Sequence, residues 1–169
     1  MSRKYTPILL ILLTLGAGAC SQSSPGTDTS APASPSTVNS EVAVAIADLT
    51  NVERNRAGLA ALTVSARLNT AARLQADQLA SSQILEHDVP NGPYPSPPDR
   101  LAAAGYQWQA YGENLASGYR TAAEAMNGWM NSPGHRANIV NGNFTEIGTA
   151  YATDPTGRPY YVQVFGRPR

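Results

Sequence analysis

His87, Glu113, Asn114 and His135 are the residues through which this chain could do chemistry. His87 and His135 are its two histidines. Imidazole titrates near pH ~6.5, so each could pass a proton, and in its neutral form each could ligate a metal such as zinc. Glu113 could act as a third ligand, as a partner that orients one imidazole, or as a general base, which makes it the candidate catalytic residue. Glu113 and Asn114 stand in Gly112-Glu113-Asn114-Leu115-Ala116. His135 stands in Trp129-Met130-Asn131-Ser132-Pro133-Gly134-His135-Arg136-Ala137-Asn138-Ile139. Polar groups set among apolar ones must be hydrogen-bonded or they cost folding energy. The two stretches therefore form a site, or a polar network that fixes the fold, and for Glu113 and Asn114 the network carries more weight. Trp129 reads as core. Ser132 makes a poor nucleophile, because it opens a Ser-Pro-Gly turn and a serine needs a base held in place by a third group.

These residues need elements to position them. Val42, Ile46, Leu49 and Val52 recur at helical spacing after Ser40, a potential N-cap, and Gly58 suits a left-handed C-cap. Leu59, Leu62 and Val64 link to a second helix. Ser65 would cap it, and Leu68, Ala71, Ala72, Gln75 and Leu79 would form its inner face to about Ser82. Residues 84–99 hold five prolines and Gly92, so His87 belongs to an irregular loop. Residues 98–104 read as a short helix ending at Gly105. Tyr106, Trp108 and Ala110 alternate as in a strand that delivers Glu113 and Asn114 at or near its end. Thr121 starts a helix through Trp129 that Pro133 stops, and residues 135–140 make one or two further turns. Ile147, Thr149 and Tyr151, then Tyr160, Val162 and Val164, read as a hairpin around Asp154-Pro155-Thr156-Gly157. Helices first, then strands among helices, is the pattern of an α+β domain with a small antiparallel sheet.

The chain has 169 residues and a formal net charge of +0, with no basic run of the kind that marks a nucleic-acid partner. Arg3 and Lys4 followed by the short apolar run Ile8–Leu15 have the layout of a signal peptide and are too short to span a bilayer. Gly16-Ala17-Gly18-Ala19 leads into Cys20, the sole cysteine, in a pattern that resembles a bacterial lipobox. The expected organisation is a signal peptide over 1–19, a lipidated Cys20 with a Ser/Thr/Pro-rich tether over 20–39, and one domain over 40–169. Loss of residues 1–19 would leave ten basic against twelve acidic side chains, so membrane attachment would rest on the lipid and not on charge.

Taken in order, the pieces resemble the CAP superfamily of cysteine-rich secretory proteins, antigen 5 and pathogenesis-related class 1 proteins, in its bacterial secreted branch. They are Asn55-Arg56-Ala57-Gly58-Leu59 with Leu62, His87, Arg100-Leu101, Ala104-Gly105-Tyr106, Gly112–Ala116, Trp129–Ile139, Ile147-Gly148 and Tyr161–Gly166. The resemblance spans about residues 41–166 and implies an α-β-α sandwich. It also implies that His87, Glu113 and His135 share a cleft, which in some members binds a divalent metal. The family's second glutamate position is Ser132 here, and Glu124 and Glu146 do not stand at it. The expectation is thus a monomeric, exported, lipid-anchored and noncatalytic binding domain. Its partner would be a small hydrophobic ligand or an envelope component, with zinc or another divalent metal a possible cofactor. A metal-dependent hydrolase using His87, His135 and Glu113, and a purely structural envelope protein, are the alternatives.

Overall fold

Helix α1 spans Pro35–Arg56 and begins in the stretch that composition alone marks as tether. A proline is well suited to a first helical position, where its missing N–H is no loss. Ser40 consequently lies inside the helix and is not its N-cap. The computed structural model describes residues 35–169, so the signal-peptide stretch, Cys20 and the tether up to residue 34 lie outside the described residues. Gly58, at φ +73°, ends α1: its N–H donates to Asn55 O, and Leu59 N–H donates to Arg54 O, the paired bonds of a left-handed helix stop.

The segment Leu59–Val64 contains a strand that the apolar spacing did not reveal. β1, Thr63–Val64, pairs in parallel with Glu146 and Ile147. Helix α2, Ala66–Ser82, follows from Ser65, and α3, Pro97–Ala103, starts from a capping box in which Ser96 and Asp99 satisfy each other's backbone N–H. β2 covers Trp108–Ser117. Helices α4 (Ala122–Met130) and α5 (Pro133–Ile139) come next, with Thr121 capping the first and Pro133 opening the second. β3 (Glu146–Thr153) and β4 (Pro159–Pro168) form the hairpin.

The sheet order is β1-β3-β4-β2, antiparallel except for the short β1–β3 pair. Alternation along β4 sorts the two cores. Tyr160, Val162 and Val164 pack with Leu68, Leu79 and Leu101 on the α2/α3 side. Tyr161 and Phe165 pack with Ile46, Trp129 and Ile139 on the α1/α4/α5 side. This is the expected α-β-α sandwich. Helix α2 lies directly against the sheet at Gly148, where a Cβ would run into the backbone of Leu68 and Asn69.

Candidate functional site

Glu113 and Asn114 lie in the middle of β2, not at its end, paired with Val164 and Gln163 of β4. Because successive strand residues face opposite sides, the two side chains serve different layers. The Glu113 side chain, 4% exposed, meets Arg100 of α3, which is 1% exposed. Arg100 donates through one terminal nitrogen to both carboxylate oxygens at 3.2 and 3.1 Å and to His87 O at 2.8 Å. Its other terminal nitrogen donates to Tyr94 O at 3.1 Å. A planar guanidinium suits this task, since it can hold a carboxylate and two carbonyls at once.

Asn114 faces the other layer. Its amide donates to His135 O at 3.0 Å and to Gln163 Oε1 at 2.9 Å, and its own Oδ1 accepts from Asn138 Nδ2 at 2.9 Å. Gln163 passes the chain on to Thr50 Oγ1 at 2.7 Å, and Thr50 donates to Ile46 O. Asn138 also reaches Glu113 O at 3.2 Å, on the outer edge of β2. The two residues thus fasten α3 and the proline-rich loop on one side, and α5 and α1 on the other. This is the network reading: the Asn114 amide has three partners, while Arg100 keeps one buried nitrogen, Nε, unpaired among the described residues.

The loop carrying His87 is held by buried amides as well. Gln75 donates to Glu86 O at 2.8 Å, and Gln78 exchanges hydrogen bonds with both backbone groups of Tyr94. The His87 imidazole itself is 54% exposed, with Nδ1 at 2.9 Å from Glu113 Oε1. His135, the third residue of α5, is half-buried and lies 2.9 Å through Nδ1 from Ser132 Oγ, the helix N-cap. Arg100, Gln163, Thr50, Asn138, Gln75 and Gln78 were not anticipated as site residues. Gln163 carried a signal, as an amide between two valines in an otherwise apolar strand. Arg100 stood within a quoted motif, but its role depends on partners distant in sequence.

The two imidazoles are shifted in opposite directions from the ordinary histidine value. The hydrogen bond that His87 Nδ1–H donates to Glu113 holds His87 above the ordinary histidine range, against a smaller effect of burial. Burial, and then the charge of His87, hold His135 below it. His87 therefore adds stability that is fully present below pH ~6.5 and is lost as pH rises through its raised value. His135 adds stability that is present above that range and is lost as pH falls through its lowered value. A proton NMR titration should resolve two histidines straddling the free-imidazole value, and Glu113→Gln should bring the upper one down. Coincident titration of the two in the wild type would contradict the geometry.

The donor set does not fit a metal centre. Among the described residues, no three His, Cys, Asp or Glu side chains are grouped to hold an ion. The Glu113 carboxylate is already neutralised by Arg100, and two imidazoles fall short of the three or four protein ligands zinc normally takes.

Comparison with known proteins identifies the family. The family model described as the cysteine-rich secretory protein family matches residues 47–165. The chain is 39% identical over 125 residues to the uncharacterized protein YkwD of Bacillus subtilis, covering 74% of this chain and 46% of that protein. An extracellular protein containing a SCP domain from Bacillus anthracis superposes with a TM-score of 0.71 at 29% identity, over 82% of this chain and 45% of that one. The chain thus spans less than half the length of both. An outer surface protein of Borrelia burgdorferi shares the fold at a TM-score of 0.69 and 22% identity, over 76% of this chain and 94% of that one. By family match and by fold, the chain belongs to the CAP, or cysteine-rich secretory protein, family.

Proposed function

We propose that this protein is an exported, noncatalytic binding domain, anchored to a membrane by lipid on Cys20. It presents the imidazoles of His87 and His135 to an envelope component or a small hydrophobic molecule. The state of Glu113 carries the reading. Its side chain is 4% exposed and both its oxygens are engaged by Arg100 and His87, so it is neither a free general base nor a free ligand. A general base must reach the proton it abstracts, and this carboxylate is turned inward onto a cation. Ser132 Oγ and His135 Nδ1 meet side chain to side chain across the first turn of α5, and among the described residues no third group holds the other imidazole nitrogen, as a serine nucleophile's base requires. Export is supported by the basic–apolar–Cys20 pattern at the N-terminus and by the extracellular description of the Bacillus anthracis relative.

Retention on isolated bacterial envelopes, measured beside hydrolysis of casein and a p-nitrophenyl ester with added zinc, tests the proposal. The wild type should be retained, His87→Ala/His135→Ala should be retained less, and neither should hydrolyse either substrate above buffer. Zinc-dependent turnover that disappears in Glu113→Gln would establish the hydrolase instead. For the anchor, palmitate label should enter the wild type and be lost in Cys20→Ser. Equal labelling of the two would remove Cys20 as the attachment point.

A further inference from the structure

The chain contains three Asn-Gly pairs, at Asn91–Gly92, Asn127–Gly128 and Asn141–Gly142. An asparagine before glycine is prone to spontaneous deamidation, because no side chain shields the following amide nitrogen. Whether it reacts in a folded protein depends on whether that nitrogen is free to reach the side-chain carbonyl carbon. The fold treats the three pairs differently. Asn127–Gly128 lies inside α4, where regular helical geometry holds the amide away from the side chain. In Asn91–Gly92 the glycine N–H is committed to Val89 O at 2.8 Å, and Gly92 sits tightly against Gln78. In Asn141–Gly142 the glycine is exposed, and its N–H has no hydrogen-bond partner among the described residues. The Asn141 Oδ1 accepts from Asn143 N at 2.9 Å, which turns the side-chain amide toward the backbone that follows and polarises its carbonyl. Near the Cβ direction of Gly142 stands Leu59 Cδ2 at 3.7 Å, an ordinary contact distance, so this position would accept a small side chain.

We propose that Asn141 is a site of spontaneous modification at which this protein ages. The Gly142 nitrogen attacks Cγ of Asn141, a C–N bond forms, and the side-chain amide leaves as ammonia. Water then opens the resulting succinimide at either carbonyl, giving aspartate or isoaspartate. The position gives the reaction a consequence. Asn141 O accepts from the buried Arg54 at 2.8 Å, and Arg54 also holds Ile139 O, the last residue of α5, at 3.0 Å. Aspartate keeps the backbone and hence that carbonyl. Isoaspartate leaves that carbonyl as a free α-carboxylate and runs the backbone through an extra methylene, which shifts the chain into Gly142 and loosens the loop that follows the helix carrying His135.

Incubation of the purified protein at mildly alkaline pH, followed by tandem mass spectrometry, tests this. Deamidation at Asn141 should accumulate several-fold faster than at Asn91 or Asn127. It should become several-fold slower in Gly142→Ala, a change the surroundings of Gly142 accommodate. Isoaspartate-containing protein should unfold at a lower denaturant concentration than the Asn141→Asp variant. Faster reaction at Asn91, or an unchanged rate in Gly142→Ala, would overturn the proposal. It would equally be overturned if a peptide of residues 137–147 reacted while the folded protein did not.

Discussion

Arg54→Met is expected to remove about 4 kcal/mol of folding stability, read as a lower denaturant midpoint at unchanged slope. Arg54 lies in α1, is 2% exposed, and has no carboxylate partner among the described residues. It is satisfied by backbone carbonyls alone: Ala60 O at 3.0 Å, Ile139 O at 3.0 Å, Asn141 O at 2.8 Å and Phe144 O at 3.4 Å. Burial without a counter-charge pulls its pKa down. Those carbonyls belong to the turn after α1, the end of α5 and the loop into β3, segments that lack a ladder of their own there. Methionine fills much of the space and restores none of the donors. Each buried acceptor left unpaired costs about 1–3 kcal/mol, and some recover with water, which sets the estimate. Arg56, two residues on, is the control. Its side chain is 69% exposed and paired with Glu53, so Arg56→Met should change stability by less than about 1 kcal/mol. Equal midpoints for the two variants would show that the carbonyl cluster does not hold these loops.

Glu113→Gln should cost about 3 kcal/mol, because it strands a buried cation. Glu113 is the only carboxylate paired with Arg100 among the described residues, and Arg100 Nε has no partner there either. Removing one partner of a buried pair typically costs 3–5 kcal/mol, which exceeds what the intact pair contributes over a nonpolar replacement. The carbonyls of His87 and Tyr94 still accept from Arg100, which puts the expectation at the lower end. The same logic sets the second half of the test. In an Arg100→Met background the glutamine no longer faces an uncompensated charge, so the further cost of Glu113→Gln should fall well below its cost alone. Costs that simply add would mean that the two residues act independently. An unchanged midpoint in Glu113→Gln would mean that the carboxylate does not fasten the proline-rich loop.

Parts of this protein were legible in the chain because they depend on neighbours in sequence. The periodicity of Leu68, Ala72 and Leu79 produces α2 starting from Ser65. Gly58 stops α1 because a residue lacking Cβ takes the left-handed conformation at little cost. Alternation in Tyr160, Val162 and Val164 produces a strand that turns this face to the α2/α3 core while Tyr161 and Phe165 fill the opposite one, and Trp129 is only 1% exposed, as its position along α4 implies. Ser40 shows how far local signals reach: a serine before an apolar run looks like a cap, yet the helix begins at Pro35, a start that suits proline equally well.

What the chain alone did not reveal is made of contacts between distant segments. Two residues are too few for a strand pattern to register, and β1 exists because Glu146 and Ile147 offer a partner. Nothing local distinguishes Arg54 from Arg56, although one side chain is enclosed by four carbonyls and the other lies in solvent. Glu113 and Asn114 were recognisable as polar residues in need of partners. That Glu113 meets Arg100 and His87 while Asn114 meets Gln163 and Asn138 follows from strand alternation and from which helices cover each face. The sequence by itself determined the elements and the chemical types at the site, because capping, turn geometry and periodicity act within a few residues. Only the tertiary structure decided that the acid is bound to a buried guanidinium, because that pairing depends on how α3 packs against β2, and with it whether the site has a free carboxylate.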